Sequence, residues 1–252
     1  MKEIANFFWH GTLPNLQKSA INSFIQNGFD VRIWSYTPYT LNGVKTLDAN
    51  LILPQSDIGK YTQLDPAGKT DTLALFSDLF RFKILAKEEG WWFDTDCFCL
   101  KPVKAFKDLK VKIGKRDFLC GYHKIGESDQ ITGSSVLYSN SSTAQKIVEI
   151  IEELLIKHSN NFSEWGLLGP TLVNNFTSTT NRIDRRLPVE YFYELHWNEV
   201  AEFNSAKKVT SAMRRVKNSY VTHVWNSSAE RLENENVEIG SFLYNLIDKY
   251  KC

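Results

Sequence analysis

Apolar residues along the chain fall into two kinds of run, short ones with no helical period and longer ones recurring at spacings of three and four. Ile4 to Trp9 is short, apolar and aromatic, and is closed by His10-Gly11, which predicts a first strand followed by a turn. Asn15 to Asn27 carries Leu16, Ala20 and Phe24 at helical spacing, with Gly28 as its stop. Val31-Arg32-Ile33-Trp34 alternates and reads as a second strand. A β-α-β opening of this kind predicts parallel strands joined by right-handed crossovers. Asp48 to Gly68 is irregular, punctuated by Pro54, Gly59, Pro66 and Gly68, and reads as a loop. Thr70 to Glu88 is apolar at 73, 76, 80 and 84 and again at 75, 79, 82 and 86, so a helix there is apolar around most of its girth and is expected to be buried. Gly90-Trp91-Trp92-Phe93 follows, uncharged and four residues long, which suits a buried strand.

The later chain is patterned more loosely. Lys104 to Lys115 reads as a lysine-rich connection with a solvated face. Phe118 to Tyr122 and Ile131 to Tyr138 read as two strands around the polar segment Gly126-Glu127-Ser128-Asp129-Gln130. Ala144 to His158 predicts an amphipathic helix with Ile147, Ile151, Leu154 and Leu155 inward. Tyr220 to Asn226 reads as a late strand, and Glu238 to Tyr250 as a closing helix with Phe242, Leu243, Leu246 and Ile247 inward.

Four charges stand out against this pattern. Asp78 and Arg81 interrupt the buried helix three residues apart, hence on one face. Charges on a buried helix are costly unless they pair with each other or face a ligand, and both readings stay open. Asp94 and Asp96 sit where the Gly90–Phe93 strand ends, and strand carboxyl ends form the ligand crevice of open α/β sheets. If that segment stays extended, the two carboxylates point to one side roughly 6.6 Å apart. Carboxylates are hard ligands that favour Mg²⁺ or Mn²⁺ over zinc, and such ions commonly bridge substrate phosphates, which points to a nucleotide-diphosphate substrate. A bare Asp-x-Asp is also common in solvated turns.

Composition narrows the field only a little. With 252 residues the chain is long enough for one domain with a sizeable core. Lys and Arg total 30 against 29 Asp and Glu, so no global charge draws the chain to nucleic acid. The N-terminal apolar run is too short for a signal peptide, and no segment approaches 18 uninterrupted apolar residues, so a cytoplasmic location is expected. Cys97, Cys99, Cys120 and Cys252 lack C-x-x-C spacing and read as free thiols. No glycine cradle for phosphate follows the first strand.

Ser77-Asp78-x-x-Arg81, then Glu89-Gly90-Trp91-Trp92-Phe93-Asp94-Thr95-Asp96 and Lys101-Pro102, resembles the S-D-x-x-R … G-G-x-Y-x-D-x-D … P signature of sugar-nucleotide glycosyltransferases of the DXD type. These include glycosyltransferase family 32, the α-1,4-galactosyl- and α-1,4-N-acetylglucosaminyltransferases, yeast-type initiating mannosyltransferases and the catalytic domain of clostridial glucosylating toxins. The chain departs from the signature at Glu89, for a glycine, and Trp92, for a tyrosine. Phe7-Phe8-Trp9-His10-Gly11, Gly169-Pro170 with Leu172, and His223-Val224-Trp225 resemble further elements of the same family.

The resemblance implies a single-domain α/β protein of GT-A type, with a Rossmann-like mixed sheet flanked by helices. Residues 1–103 would form the nucleotide-sugar-binding half, and 104–252 the acceptor half with its closing segment. It implies transfer of a hexose from a nucleotide sugar, a UDP-sugar first, to a glycan acceptor with retention of configuration. Trp9 would stack on the base, Asp78 and Asp94 would meet ribose and sugar hydroxyls, and Arg81 the sugar or phosphate. Asp96 and His223 would hold Mn²⁺ or Mg²⁺, with Trp225 or Asn226 closing over the diphosphate. No nucleophile stands out; Asp129 and Gln130 are the nearest polar candidates by order in the chain. A role in bacterial surface-polysaccharide synthesis fits, with a lipid-linked acceptor and membrane contact through Lys207, Lys208, Arg214, Arg215 and Lys217, although that basic segment also reads as a solvated face. Competing readings are a toxin-type protein glucosyltransferase, a metal-dependent phosphohydrolase and a non-catalytic sugar-binding module.

Overall fold

The structure, a computed structural model, describes residues 2–64, 68, 70, 71, 73–114, 117–124, 130–226 and 236–252. Its central sheet is mixed. Strands Ile4–Phe8, Asp30–Ser35, Val44–Asp48 and Gly90–Phe93 run parallel, with Ile4–Phe8 between Asp30–Ser35 and Gly90–Phe93. Val136–Ser139 joins antiparallel to Gly90–Phe93 and to Phe118–Lys124, which in turn pairs with Gln130–Thr132 and Arg186–Leu187.

Period-two alternation distributes the core to both faces of this sheet. Phe8, Trp34, Trp92 and Leu137 point to one side, where helices Leu73–Lys87 and Ser141–Lys157 cover them. Phe7, Ile33, Trp91, Phe93 and Tyr138 point to the other, under helices Asn15–Gln26 and Val103–Ile113. The Leu73–Lys87 helix is buried around its girth as its sequence predicts, and Asp71 caps it by accepting from the N–H groups of Leu73 and Ala74.

Several expectations are corrected. Lys104 to Lys115 is not a connection: Val103–Ile113 is a helix, begun after Pro102 and ended at Gly114 in left-handed conformation (φ 69°), with Phe106 and Leu109 inward, Lys110 turned onto Glu3 and the Tyr138 ring, and Lys104, Lys107 and Lys112 outward. Val44–Asp48, unmarked by alternation, is an edge strand. The supposed loop from Asp48 contains two short 3-10 turns and the strand Thr62–Leu64. Ile131 to Tyr138 is broken into Gln130–Thr132 and Val136–Ser139. The break lies at Gly133, where a Cβ would fall 2.5 Å from the ring of buried Tyr193.

One small element positions the site. Cys97–Cys99 pairs antiparallel with Val221–His223, placing His223 opposite Cys97. A third apolar cluster locks this ribbon to the end of the chain through Phe98, Val224, Phe242, Leu243 and Tyr250.

Candidate active site

Asp94 and Asp96 do not form an extended pair. The strand stops at Phe93, and the Cys97 N–H donates to the Asp94 carbonyl at 3.0 Å, closing a turn over Asp94 to Cys97. Each carboxylate then belongs to a different cluster.

The first cluster is centred on Arg81. Its Nη2 lies 3.2 Å from Asp78 and 3.3 Å from Asp94, and its Nη1 donates to the Ser134 carbonyl at 2.8 Å. The guanidinium also stacks over Trp92, whose indole N–H donates to Asp94 at 2.7 Å. The private Asp78–Arg81 ion pair and a site-facing role, alternatives in the sequence, therefore coexist, because one arginine serves both carboxylates. Asp78 is only 6% exposed, and Gly169 packs so closely that a Cβ there would fall 2.8 Å from its oxygens. Burial raises the Asp78 carboxyl to about 6, against the opposing pull of Arg81. The Asp94 side chain, 28% exposed, is the open member.

The second cluster is centred on Asp96. His223 Nε2 lies 3.0 Å from Asp96 Oδ1, and the Asn226 N–H donates to Oδ2 at 2.9 Å. Trp225 takes a left-handed backbone (φ 53°) between them, a conformation costing a non-glycine residue roughly 1–2 kcal/mol. Burial pushes the Asp96 carboxyl up, but His223 and the Asn226 N–H outweigh it and hold it below the usual carboxylate value. Burial likewise pushes the His223 imidazole down, and the Asp96 carboxylate more than reverses this, leaving it raised. Cys97 completes a group of three whose ligand atoms lie within 4.8 Å of one another.

This second cluster fits a divalent cation on its own evidence. It offers a carboxylate and an imidazole donor whose atoms, Asp96 Oδ1 and His223 Nε2, face each other, and among the described residues Asn226 Oδ1 is buried without a hydrogen-bond partner.

The remaining expected residues have the following surroundings. Trp9 is half-buried at the end of the first strand, its indole N–H donating to the Thr12 carbonyl at 2.9 Å. Trp225 packs its ring on His223, with centroids 4.1 Å apart, and donates its indole N–H to Leu195. Gln130 is exposed at the start of its strand, and Asp129 lies outside the described residues. Arg215 is not a free surface cation: it is paired with Glu194 and Glu199. Lys207, Lys208, Arg214 and Lys217 are exposed.

Trp92, Ser134 and Tyr193 were not foreseen. Trp92 carried a signal, since it stands where the resembling signature has a tyrosine and also presents a polar hydrogen to Asp94. Glu89, the other departure, accepts from the Tyr138 hydroxyl. Tyr193 carried none: its ring lies against Gly121 and Gly133, its oxygen accepts from the Val136 N–H, and it touches His223 and Trp225.

Residues 144–252 match the family model described as the alpha 1,4-glycosyltransferase conserved region. That stretch includes Gly169-Pro170, His223, Trp225 and Asn226, though not the Asp-x-Asp. Among solved structures, the galactosyltransferase LgtC in complex with donor and acceptor sugar analogs is similar at TM-score 0.56 and 9% identity, covering 99% of this chain and 96% of that one. The apo-form glycosyltransferase GlyE of Streptococcus pneumoniae TIGR4 is similar at TM-score 0.52 and 12% identity, covering 99% of this chain and 64% of that one. No curated protein sequence matches the chain. The single-domain mixed α/β fold expected from the resemblance is the fold found.

Proposed function

We propose that this chain, with its GT-A fold and the alpha 1,4-glycosyltransferase conserved region over residues 144–252, moves a hexose from a nucleotide sugar to a glycan acceptor. The observation that carries the reading is the pairing of two unlike carboxylate clusters across one turn. Asp94 is held open by Arg81 and Trp92, and Asp96 is gripped by His223 and the Asn226 N–H.

In this reading residues 1–103 bind the donor and 104–252 the acceptor. A UDP-sugar is the preferred donor. Trp9 stacks on the base, while Asp94 and the deeper Asp78 accept hydrogen bonds from ribose and sugar hydroxyls. Arg81, fixed by Ser134 and both carboxylates, fixes their angle and offers positive charge to the sugar or phosphate. Asp96 and His223 would hold Mn²⁺ or Mg²⁺, which when bound neutralises charge developing on the leaving diphosphate. Trp225 and Asn226 close over that diphosphate.

Transfer with retention needs no general base from the protein, since the departing phosphate oxygen can take the acceptor hydroxyl's proton. Gln130 remains the polar group offered near the anomeric carbon. A glycan of bacterial surface polysaccharide, lipid-linked, is the acceptor this reading prefers. Among the described residues no helix is long and apolar enough to cross a membrane, so contact with a bilayer would be peripheral, through Lys207, Lys208, Arg214 and Lys217. Titration calorimetry against a panel of UDP- and GDP-sugars, with and without Mn²⁺, tests the reading. It expects one donor to bind only with the ion; equal binding of every sugar, nucleotide-linked or free, would favour a sugar-binding module instead.

A further inference from the structure

The expectation of Mn²⁺ or Mg²⁺ rested on the hardness of the aspartate carboxylates, with Asp96 and His223 as the ligands. The fold adds a third donor, Cys97. Cys97 and His223 are register partners across the antiparallel ribbon, and side chains of such partners project to the same face. Asp96, adjacent to Cys97, reaches the same point by way of the turn. Cys97 Sγ, an Asp96 oxygen and a His223 ring nitrogen all lie within 4.8 Å of one another. Cys97 is 0% exposed and His223 6% exposed, so water competes poorly for the space between them. The only hydrogen-bond acceptor found for the thiol among the described residues is the Ser135 carbonyl, at a long 3.9 Å.

We infer that Cys97 is a ligand of the cation held by Asp96 and His223, making this a mixed nitrogen, oxygen and sulfur site that selects borderline ions such as Zn²⁺, Co²⁺ or Cd²⁺ over Mg²⁺. The inference shares only the cation site with the function proposed above. Thiolate and imidazole are the donors that favour such ions, whereas Mg²⁺ demands oxygen. Distances allow it. The 3.0 Å gap between His223 Nε2 and Asp96 Oδ1 is what two ligands on one ion span when each bond is about 2.1 Å and they meet near a right angle. A metal–sulfur bond of about 2.3 Å requires the trio to close by roughly 1 Å, within reach of a side-chain rotation. Binding takes Cys97 as thiolate, and its proton leaves to solvent.

The test is optical. Metal-free protein carrying Cys252→Ser, which removes the exposed thiol, is titrated with Co²⁺ and scanned in the near ultraviolet. The inference expects a thiolate-to-cobalt charge-transfer band at one equivalent, lost in Cys97→Ser and retained in Cys99→Ser. It also expects Cd²⁺ affinity to fall at least about tenfold in Cys97→Ser with Mg²⁺ affinity unchanged, the lower bound for losing a group that orients a metal. Cys97→Ala, which buries no hydroxyl at this fully buried position, guards against a folding defect and should behave like Cys97→Ser. Co²⁺ binding without the band, or no Co²⁺ binding by the wild-type site, overturns the inference. A band in a protein that turns over no nucleotide sugar would leave the inference standing and remove the transferase reading.

Discussion

The Asp94 and Asp96 clusters lie at the two ends of one turn and are built in opposite ways. Asp94 takes its partners from nearby sequence, Trp92 two residues away and Arg81 thirteen away on the preceding helix. Asp96 takes its partners from 127 and 130 residues away, at the far end of the chain. The first cluster is closed by aromatic stacking and three contacts to a single guanidinium. Among the described residues each cluster also leaves buried polar atoms without a partner, Arg81 Nε in the first and His223 Nδ1 and Asn226 Oδ1 in the second. A cluster built on a guanidinium beside one built on a carboxylate and an imidazole suits a site in which organic hydroxyls meet preset groups and a cation is held next to them.

Breaking the first cluster should cost the fold most. Arg81→Met leaves Asp78 buried against Asp94 without a cation between them, and stability should fall by about 3–5 kcal/mol. Urea unfolding of the variant checks this; a loss under about 1 kcal/mol would mean that the cluster is not held by Arg81.

Breaking the second should cost chemistry instead. Asp96→Asn keeps an acceptor for the Asn226 N–H but loses the charge, so turnover should fall about a thousandfold, roughly 4 kcal/mol in transition-state terms, with the fold retained. Steady-state rates beside a melting curve separate the two effects. Unfolding on the scale of a core mutation would assign Asp96 to structure.

The clusters should also respond oppositely to acid. Asp78, raised to about 6 in the fold against roughly 3.9 unfolded, contributes stability that is present below pH 3.9 and lost as pH rises through 6. Asp78→Asn lacks this loss, so between pH 4 and 7 the variant should gain on the wild type by roughly 3 kcal/mol at most. Asp96, held below its ordinary value, contributes stability that is lost only as pH falls through that lowered value. Parallel wild-type and Asp78→Asn unfolding curves at every pH would remove Asp78 from the account.

The same contrast explains what was legible in the sequence. Local features carried through: the buried helix, the Gly90–Phe93 strand, and Asp78, Arg81 and Asp94 within one short stretch. The spacing of Asp94 and Asp96 misled, because an extended chain was assumed where the Cys97 N–H closes a turn. His223 was reached only through resemblance, since no local pattern announces a strand pairing across more than 120 residues. Tyr193 and Cys97 were invisible for the same reason, one covered by Gly121 on a strand and Gly133 in the break between two others, and the other made a neighbour of His223 by ribbon register. The Val103–Ile113 helix was missed because its lysines outnumber the two inward residues, Phe106 and Leu109, that dock it.

Trp9 provides the smallest effect and a control on both clusters, since its indole N–H donates to Thr12 and its ring packs on the core beneath the sheet. Trp9→Ala should weaken UDP binding by about 1–3 kcal/mol, the scale of one base stack, and leave metal affinity alone. Unchanged UDP affinity would place the base elsewhere.

The central claim is that the two clusters act together on a nucleotide sugar, and release of UDP from UDP-sugars tests it most directly. The account expects release that needs a divalent ion, stops with chelator, and is lost in Asp94→Asn and in Asp96→Asn alike. Folded, ion-loaded wild-type protein that neither binds nor consumes any UDP- or GDP-sugar would contradict it.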